Sequence, residues 1–465
     1  MTSYSRIVLD KDENFQKWFE VEDTVEWILR NGYKRVALQL PDSLLIHAFR
    51  LTQSLKQRIN GRADNNSIDL FVLADTSYGE CCVDQTSASH NAADSVVHYG
   101  RSCLSRPTYL PTLLVFCDLG TRLDLTSVNK FAEDHASKHI YVELDVVFEG
   151  CRAGLEHIFQ KQNVQAQFSV LPPRELIPLT KDSSSNVDKH QNNTSLEVDF
   201  SSFSAVLFIG PARSPQLDRL SFACATSSSS CPVYSLNPDT IEISTSQSSR
   251  ALARRFVMVE KCRDASIIGI LIGTMSVALF GNVIARVKKA IELSGKKSYS
   301  FVFGKLSPSK LANFPDVDAF VLVACSFHTL IDSKEFNKPI VTPYELEVAL
   351  NIRDWGSYIW NFSQLLEVPL DQEEQTDKKA TFDEADDVRF SLASGKLMSM
   401  PKKKPAVQTL TLRYESPAAE SLASRTFKGL DPSTSHLAPS KATSGQIGVA
   451  SKLYQLDGTQ AEQPR

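Results

Sequence analysis

"IDLFVLADTSYGECCVDQTSASHNAADSVVHYGRSC", residues Ile68–Cys103, is the stretch whose reading decides the fold. It opens on an apolar run, Ile68–Asp75, crosses a polar segment near Asp84–Ala93 and closes on a second apolar run, Ser95–Gly100. Short aliphatic and β-branched runs separated by a helical pattern read as strand, helix, strand, and that unit builds a parallel sheet. Thiols stand just beyond both strand ends, Cys81 and Cys82 after the first and Cys103 after the second. In open α/β sheets the carboxyl ends of the strands are where ligands bind.

The same alternation extends in both directions. "RVALQL" (Arg35–Leu40) and a helix-like stretch through Arg58 precede it, and "TLLVFC" (Thr112–Cys117) follows. A second unit begins near Ile140 with "IYVELDVVF" and continues through "AVLFIG" (Ala205–Gly210) and "PVYSLNP". A third begins near Ala251 and holds "IIGILIG", "SYSFVFG" (Ser298–Gly304) and "DAFVLVACS" (Asp318–Ser326). The pattern predicts an α/β protein of three units, 1–139, 140–250 and 251–365, with a polar insertion at 181–199 read as a mobile surface loop. Past Leu366 the texture changes. "DQEEQTDKKATFDEADD" is acidic, "PKKKP" is basic, and Ser, Pro, Thr and Ala dominate, so 366–465 reads as a disordered tail.

Composition narrows the function. At 465 residues the chain exceeds one core, and 42% hydrophobic residues suit a globular body. A net charge of −4 offers no electrostatic case for nucleic acid as the principal ligand. Nine irregularly spaced cysteines do not make a secreted disulfide scaffold. The start, MTSYSRIVLDKDENF, is charged where a signal peptide needs an apolar core, so the expected location is the cytoplasm and the sequon at Asn193 stays unmodified. Ile267–Ala285 carries no charge and has the length of a membrane helix, but Gly269, Gly273, Thr274, Ser276, Gly281 and Asn282 interrupt it. It reads as a buried strand followed by an amphipathic helix.

Nucleotide motifs are weak. No G-x-G-x-x-G follows the first strand, and "SGKKS" (Ser294–Ser298) lacks the upstream glycine of a phosphate-binding loop and follows a helix. Gly273–Ser276 has the grammar of an anion cradle, as any strand-to-helix turn does. Cys117, Cys151, Cys224, Cys231 and Cys262 read as buried or incidental thiols. Cys81, Cys82, Cys103 and Cys325 differ, because each follows a strand; they converge only if the units face one another, and then form a closed site of soft ligands. Structural zinc usually takes local C-x2-C pairs, whereas an iron–sulfur cluster tolerates scattered thiolates. With three thiolates, one iron keeps an open position. Spacing alone leaves cluster, zinc and no metal all open. His90 and His98 read as packing or hydrogen-bonding residues, and His328, three residues past Cys325, fits either role.

Longer motifs add a resemblance. "RVALQLPDSLL", "DTSYGECCVD", "VVHYGRSCLS", "IGTMSVALFGNVI", "GKLSPSKLANFPDVDAFVLVAC" and "LIDSKEFNKPIVTPYELEVAL" resemble the diphthamide synthase subunits, of the eukaryotic subunit 2 type, over Val21 to Leu350. The resemblance implies three similar Rossmann-like α/β domains in a triangle around a central 4Fe–4S cluster. It implies the first step of diphthamide synthesis, moving a 3-amino-3-carboxypropyl group from S-adenosylmethionine onto a histidine of translation elongation factor 2. It also implies a heterodimer with a catalytic subunit 1, fed by a small electron-donor protein with its reductase. Catalytic subunits take one cysteine from each domain and cleave a C–S bond at the open iron. This chain departs from that pattern, because "FIGPARSPQLDRL" carries no cysteine in the middle domain. The resemblance to subunit 2 implies Cys82, Cys103 and Cys325 as ligands, with Cys81 a substitute for Cys82. It further implies an accessory role in which the cluster supports reduction of the partner's. A catalytic homodimer and a zinc-binding scaffold are the rival readings.

Overall fold

The computed structural model describes residues 12–399, apart from 63–67, 75–78, 121–122, 172, 179–197, 213, 227–230, 247, 332–334, 371–387, 393–394 and 396. Its framework is three sheets laid out in chain order. Strands β1 (Arg35–Gln39), β2 (Asp69–Leu73), β3 (Ser95–Tyr99) and β4 (Thr112–Val115) form the first, all parallel. β5 (His139–Leu144) and β6 (Gln165–Phe168) start the second. β7 (Glu175–Leu176) then turns back to pair antiparallel with β4, and β8 (Ala205–Ile209), β9 (Val233–Asn237) and β10 (Glu242–Thr245) complete the second sheet. The third is β11 (Ile267–Ile272), β12 (Lys297–Val302), β13 (Ala319–Val323) and β14 (Ile340–Val341), all parallel.

One topology repeats. The orders β2-β1-β3-β4, β6-β5-β8-β9 and β12-β11-β13-β14 all place the second strand outside the first and the third on its other side. This is the doubly wound arrangement, whose strand order reverses between first and third strands and leaves a crevice at their carboxyl ends. The sequence explains why the sheets are parallel. β3, β4, β8 and β13 are buried along their whole length, as strands covered on both faces must be. The covering helices carry apolar stripes at helical spacing: Ala48–Asn60 buries Leu51, Leu55 and Ile59, and Phe280–Leu293 buries Val283, Val287, Ala290 and Ile291.

The charge-free stretch Ile267–Ala285 divides as its glycines imply, into β11 and the start of the helix Phe280–Leu293. No described helix is long and apolar enough to cross a membrane. The helix begins only at Phe280, so Gly273–Ser276 does not itself form the helix N-terminus.

Each unit touches the other two. The first and second share one apolar core that runs from Val36 and Leu114 to Val142 and Leu207. Phe222, on the second unit's helix Pro215–Thr226, stacks on Tyr358 and Trp360 after the third sheet; such ring pairs add ~0.5–1.5 kcal/mol beyond burial. The first and third units meet through the loop that follows β11. Pro107 bridges Val277, Ala278 N–H donates to the Arg106 carbonyl at 3.0 Å, and the Gln85 amide donates to the Ser276 carbonyl at 2.7 Å. The insertion lies outside the described residues except for its last two, of which Asp199 caps the turn Phe200–Ser202. Most of 366–465 lies outside them too. Within it, Val388–Phe390 pairs antiparallel with Leu397–Ser399, and the buried Ser391 hydroxyl donates to Asp264.

Candidate metal centre

Four thiols meet where the first and third units join. The sulfurs of Cys81, Cys82, Cys103 and Cys325 all lie within 4.8 Å of one another, and all four residues are buried. Cys81 and Cys325 are 3.8 Å apart, and Cys82 and Cys103 are 3.9 Å apart. The structure thus brings together Cys82, Cys103 and Cys325, and it makes Cys81 an equal member of the group.

The first unit positions three of these thiols through backbone bonds. Cys103 N–H donates to the Cys81 carbonyl at 3.0 Å, and Cys82 N–H closes a turn on the Gly79 carbonyl at 3.0 Å. Gln39, at the end of β1, holds both sides of this loop: its amide nitrogen donates to the Cys82 carbonyl and its oxygen accepts from Asp84 N–H, each at 2.8 Å. Asp84 in turn caps the short helix Gln85–His90. A buried glutamine with both ends engaged fixes a loop because leaving either group unpaired costs ~1–3 kcal/mol. Cys325 sits two residues past β13 in a turn whose carbonyl accepts from His328 and Thr329 N–H, both at 2.9 Å. The Thr329 hydroxyl ties that turn to the Leu322 carbonyl.

His328 completes the wall. Its Nδ1 is 3.3 Å from the Cys81 sulfur and 3.4 Å from that of Cys325. Burial opposes charge on the ring, but the bond to Cys325 and the charges on Cys325 and Glu80 outweigh it, so its pKa lies above the ordinary value. The thiols share charge unequally. Hydrogen bonds from Cys103, Cys81 and Cys82 hold Cys325 well below the thiol range, while Cys81 and Cys82 are pushed up, first by Cys103. Metal binding takes deprotonated sulfur, so an ion or cluster here replaces thiol protons. Four thiolates are the donor set that zinc and a 4Fe–4S cluster both accept.

The middle unit supplies no thiol to this group. Cys224 and Cys231 pack among Tyr141, Phe200, Phe203 and Phe208, and Cys151 lies in the main core. At its strand ends the middle unit carries charge instead. Asp145, directly after β5, is fully buried and pairs with Arg101 of the first unit at 2.7 Å. Burial pushes the Asp145 carboxyl up and Arg101 opposes it. Glu143 receives Arg219 at 2.6 Å and the Gln216 amide at 2.7 Å.

Comparisons with known proteins follow the same lines. A family model described as "Putative diphthamide synthesis protein" matches residues 40–360. Proteins called 2-(3-amino-3-carboxypropyl)histidine synthase subunit 2 are similar along almost the whole chain. That of Xenopus laevis is 34% identical over 94% of this chain and 92% of its own. That of Danio rerio is 33% identical over 95% and 92%, and that of Schizosaccharomyces pombe 31% over 95% and 91%. The chain belongs to the diphthamide synthesis family. Among solved structures, Dph2 from Pyrococcus horikoshii with a 4Fe–4S cluster superposes with a TM-score of 0.54 at 20% identity, covering 74% of this chain and 93% of that one. At that identity the likeness speaks for the fold, and it agrees with the three α/β units.

Sequence reasoning missed part of this family member's site. The polar Gln39 closing the buried run Val36–Leu38 was the available signal for the loop clamp. The Arg101–Asp145 pair had no local signal, since its partners lie forty-four positions apart on different units. His90 stays out of the centre on an exposed helix end, and His98 is buried with Nε2 3.0 Å from the Arg101 carbonyl.

Proposed function

We propose that this chain is the accessory iron–sulfur subunit of a diphthamide synthase, holding a 4Fe–4S cluster on Cys81, Cys82, Cys103 and Cys325. The observation that carries the reading is the fourth thiol. Three thiolates leave one iron open to a substrate, whereas four occupy every iron of the cluster, which then supplies electron transfer without a substrate site. The chain's own residues fit that task. Gln39, the Cys81–Cys103 backbone bond and the Cys325 turn hold the backbone that carries the thiols, and the side chains stay free to turn outward around a cluster, buried from water. The C–S cleavage of S-adenosylmethionine and the transfer of its 3-amino-3-carboxypropyl group to elongation factor 2 belong, on this reading, to a catalytic subunit 1 in a heterodimer. A small electron-donor protein with its reductase serves the pair in the cytoplasm.

One observation favours a second reading, a zinc-holding scaffold. In a tetrahedral zinc site, bonds of ~2.3 Å put neighbouring sulfurs ~3.8 Å apart, close to the 3.8 and 3.9 Å separations here. A cluster is wider than one ion and requires the thiols to open outward. The test is anaerobic purification of the full chain with iron, sulfide and zinc analysis, followed by S-adenosylmethionine cleavage with and without the catalytic subunit. The accessory reading expects iron and sulfide, visible absorption and no cleavage by the chain alone. Stoichiometric zinc without sulfide overturns the cluster, and cleavage by the isolated chain overturns the accessory role.

A further inference from the structure

His328 is the one imidazole in contact with the thiol group among the described residues, and its position is fixed from three sides. Its backbone N–H is bound to the Cys325 carbonyl, which sets the Cys-x-x-His spacing. Its Nδ1 lies within hydrogen-bond distance of two sulfurs, on Cys81 of the first unit and Cys325 of the third. Its ring lies on Gly79, where an added Cβ would stand 2.2 Å from Cε1 and 2.6 Å from Nε2. Only a residue without a side chain leaves room for the ring there. The four thiols are buried, whereas His328 itself is exposed.

We propose that His328 is a positioning residue for the cluster, donating Nδ1–H to the Cys81 and Cys325 sulfurs and thereby raising the reduction potential, while its ring keeps water off them. The inference rests on the iron–sulfur reading above and adds a role to a residue that is not itself a ligand. The physical reason is electrostatic. Reduction adds negative charge, which delocalises onto the thiolate sulfurs, and an N–H aimed at a sulfur stabilises the reduced state more than the oxidised one. Both sulfurs served belong to different units, so the same hydrogen bonds also hold the junction of the first and third sheets closed over the site. Four thiols already fill the donor set, which leaves the imidazole as a hydrogen-bond donor.

The test is a redox titration of the anaerobically reconstituted full chain, followed by visible absorption and electron paramagnetic resonance, with iron and sulfide measured on each sample. His328→Phe keeps a ring of similar size and removes the donor. It is expected to retain iron and sulfide, with the potential shifted to more negative values and faster bleaching in air. Gly79→Ala drives the ring off the sulfurs while leaving it in the chain, and is expected to shift the potential in the same direction. An unchanged potential in Gly79→Ala overturns the proposal, whether or not His328→Phe takes up the cluster, as does an unchanged potential in an iron-loaded His328→Phe. A native chain that carries zinc and no iron fails the underlying reading instead, and the metal analysis distinguishes the two failures.

Discussion

The three sheets share one strand order, yet their crevices hold different chemistry. At the first and third, the residues after the strands are thiols, Cys81, Cys82 and Cys103 on one side and Cys325 on the other. At the middle sheet, Glu143 near the end of β5 and Asp145 directly after it are each paired with an arginine. A parallel sheet delivers whatever follows its strands to one edge, so the repeated topology fixes where function sits and leaves the chemistry to loop residues. The middle unit shares the scaffold but carries ion pairs where the other two carry thiols. Arg101 lies two residues before Cys103, so the charged crevice anchors the loop that carries a thiol.

The largest effect that separates the two regions is loss of metal. Cys325 is the third unit's only thiol in the group, and hydrogen bonds from Cys103, Cys81 and Cys82 hold it well below the thiol range. Cys325→Ala is expected to lower the iron content and weaken the visible absorption of the anaerobic protein. On the accessory reading proposed above, modification of elongation factor 2 by the heterodimer should fall but persist. Full metal content in Cys325→Ala would break the comparison at its root.

Much of this architecture is legible in the sequence, for identifiable reasons. Buried parallel strands must be apolar throughout, so "TLLV", "AVLFI" and "AFVLV" announce themselves, and the glycines of Ile267–Ala285 mark where a strand ends. The thiols at strand ends are visible once the strands are. What is not legible depends on contacts between units. Nothing near Cys81 says that it joins the group as well as Cys82, because adjacent side chains on one strand point apart and only the turn at Gly79–Cys82 lets both face inward. Likewise the Gly273–Ser276 loop has a local pattern that suits an anion, and only the docked first unit reveals that it serves as an interface.

A smaller effect is expected from the ion pair. Arg101→Ala leaves Asp145 buried without its partner. The cost is expected near the lower end for a broken buried pair, about 3 kcal/mol, because 26% of the arginine side chain still meets solvent. Denaturant unfolding measures it. The double variant Arg101→Met with Asp145→Leu should recover most of the loss, since apolar residues of similar volume replace the pair without stranding a charge. Metal content should fall in the single variant more than in the double one if the pair anchors the Cys103 loop. Equal metal loss in both would show that charge itself, beyond anchoring, matters to the site.

The first sheet also predicts a pH dependence. His98 on β3 is fully buried, and burial lowers its pKa from 6.5 to about 4, against the opposing bond to the Arg101 carbonyl. The folded chain therefore binds fewer protons than the unfolded one between those values. Stability due to neutral His98 is present above pH 6.5 and is lost as pH falls toward the folded value, at ~1.36 kcal/mol per unit. Between pH 8 and pH 5 the loss is about 2 kcal/mol by the same linkage. His98→Gln should flatten that part of the stability–pH curve. An identical slope in the variant would assign the acid sensitivity elsewhere.

The smallest effects are expected from the middle unit's own thiols, and they sharpen the comparison most directly. Cys224 and Cys231 lie in an aromatic pocket with Tyr141, Phe200, Phe203 and Phe208, away from the crevice. Burial pushes the Cys231 thiol up to about 11 and drives Cys224 higher still, so both stay protonated at neutral pH. What each contributes is packing. Cys224→Ala or Cys231→Ala removes one buried sulfur, a loss comparable to a methyl group, and should cost about 1 kcal/mol in unfolding free energy. Iron, sulfide and potential should all stay at native values, singly and in the double variant. The decisive number is the metal content of Cys231→Ala. A fall there, without matching loss of stability, would bring the middle unit's thiol into the centre and reduce Cys81 to a bystander.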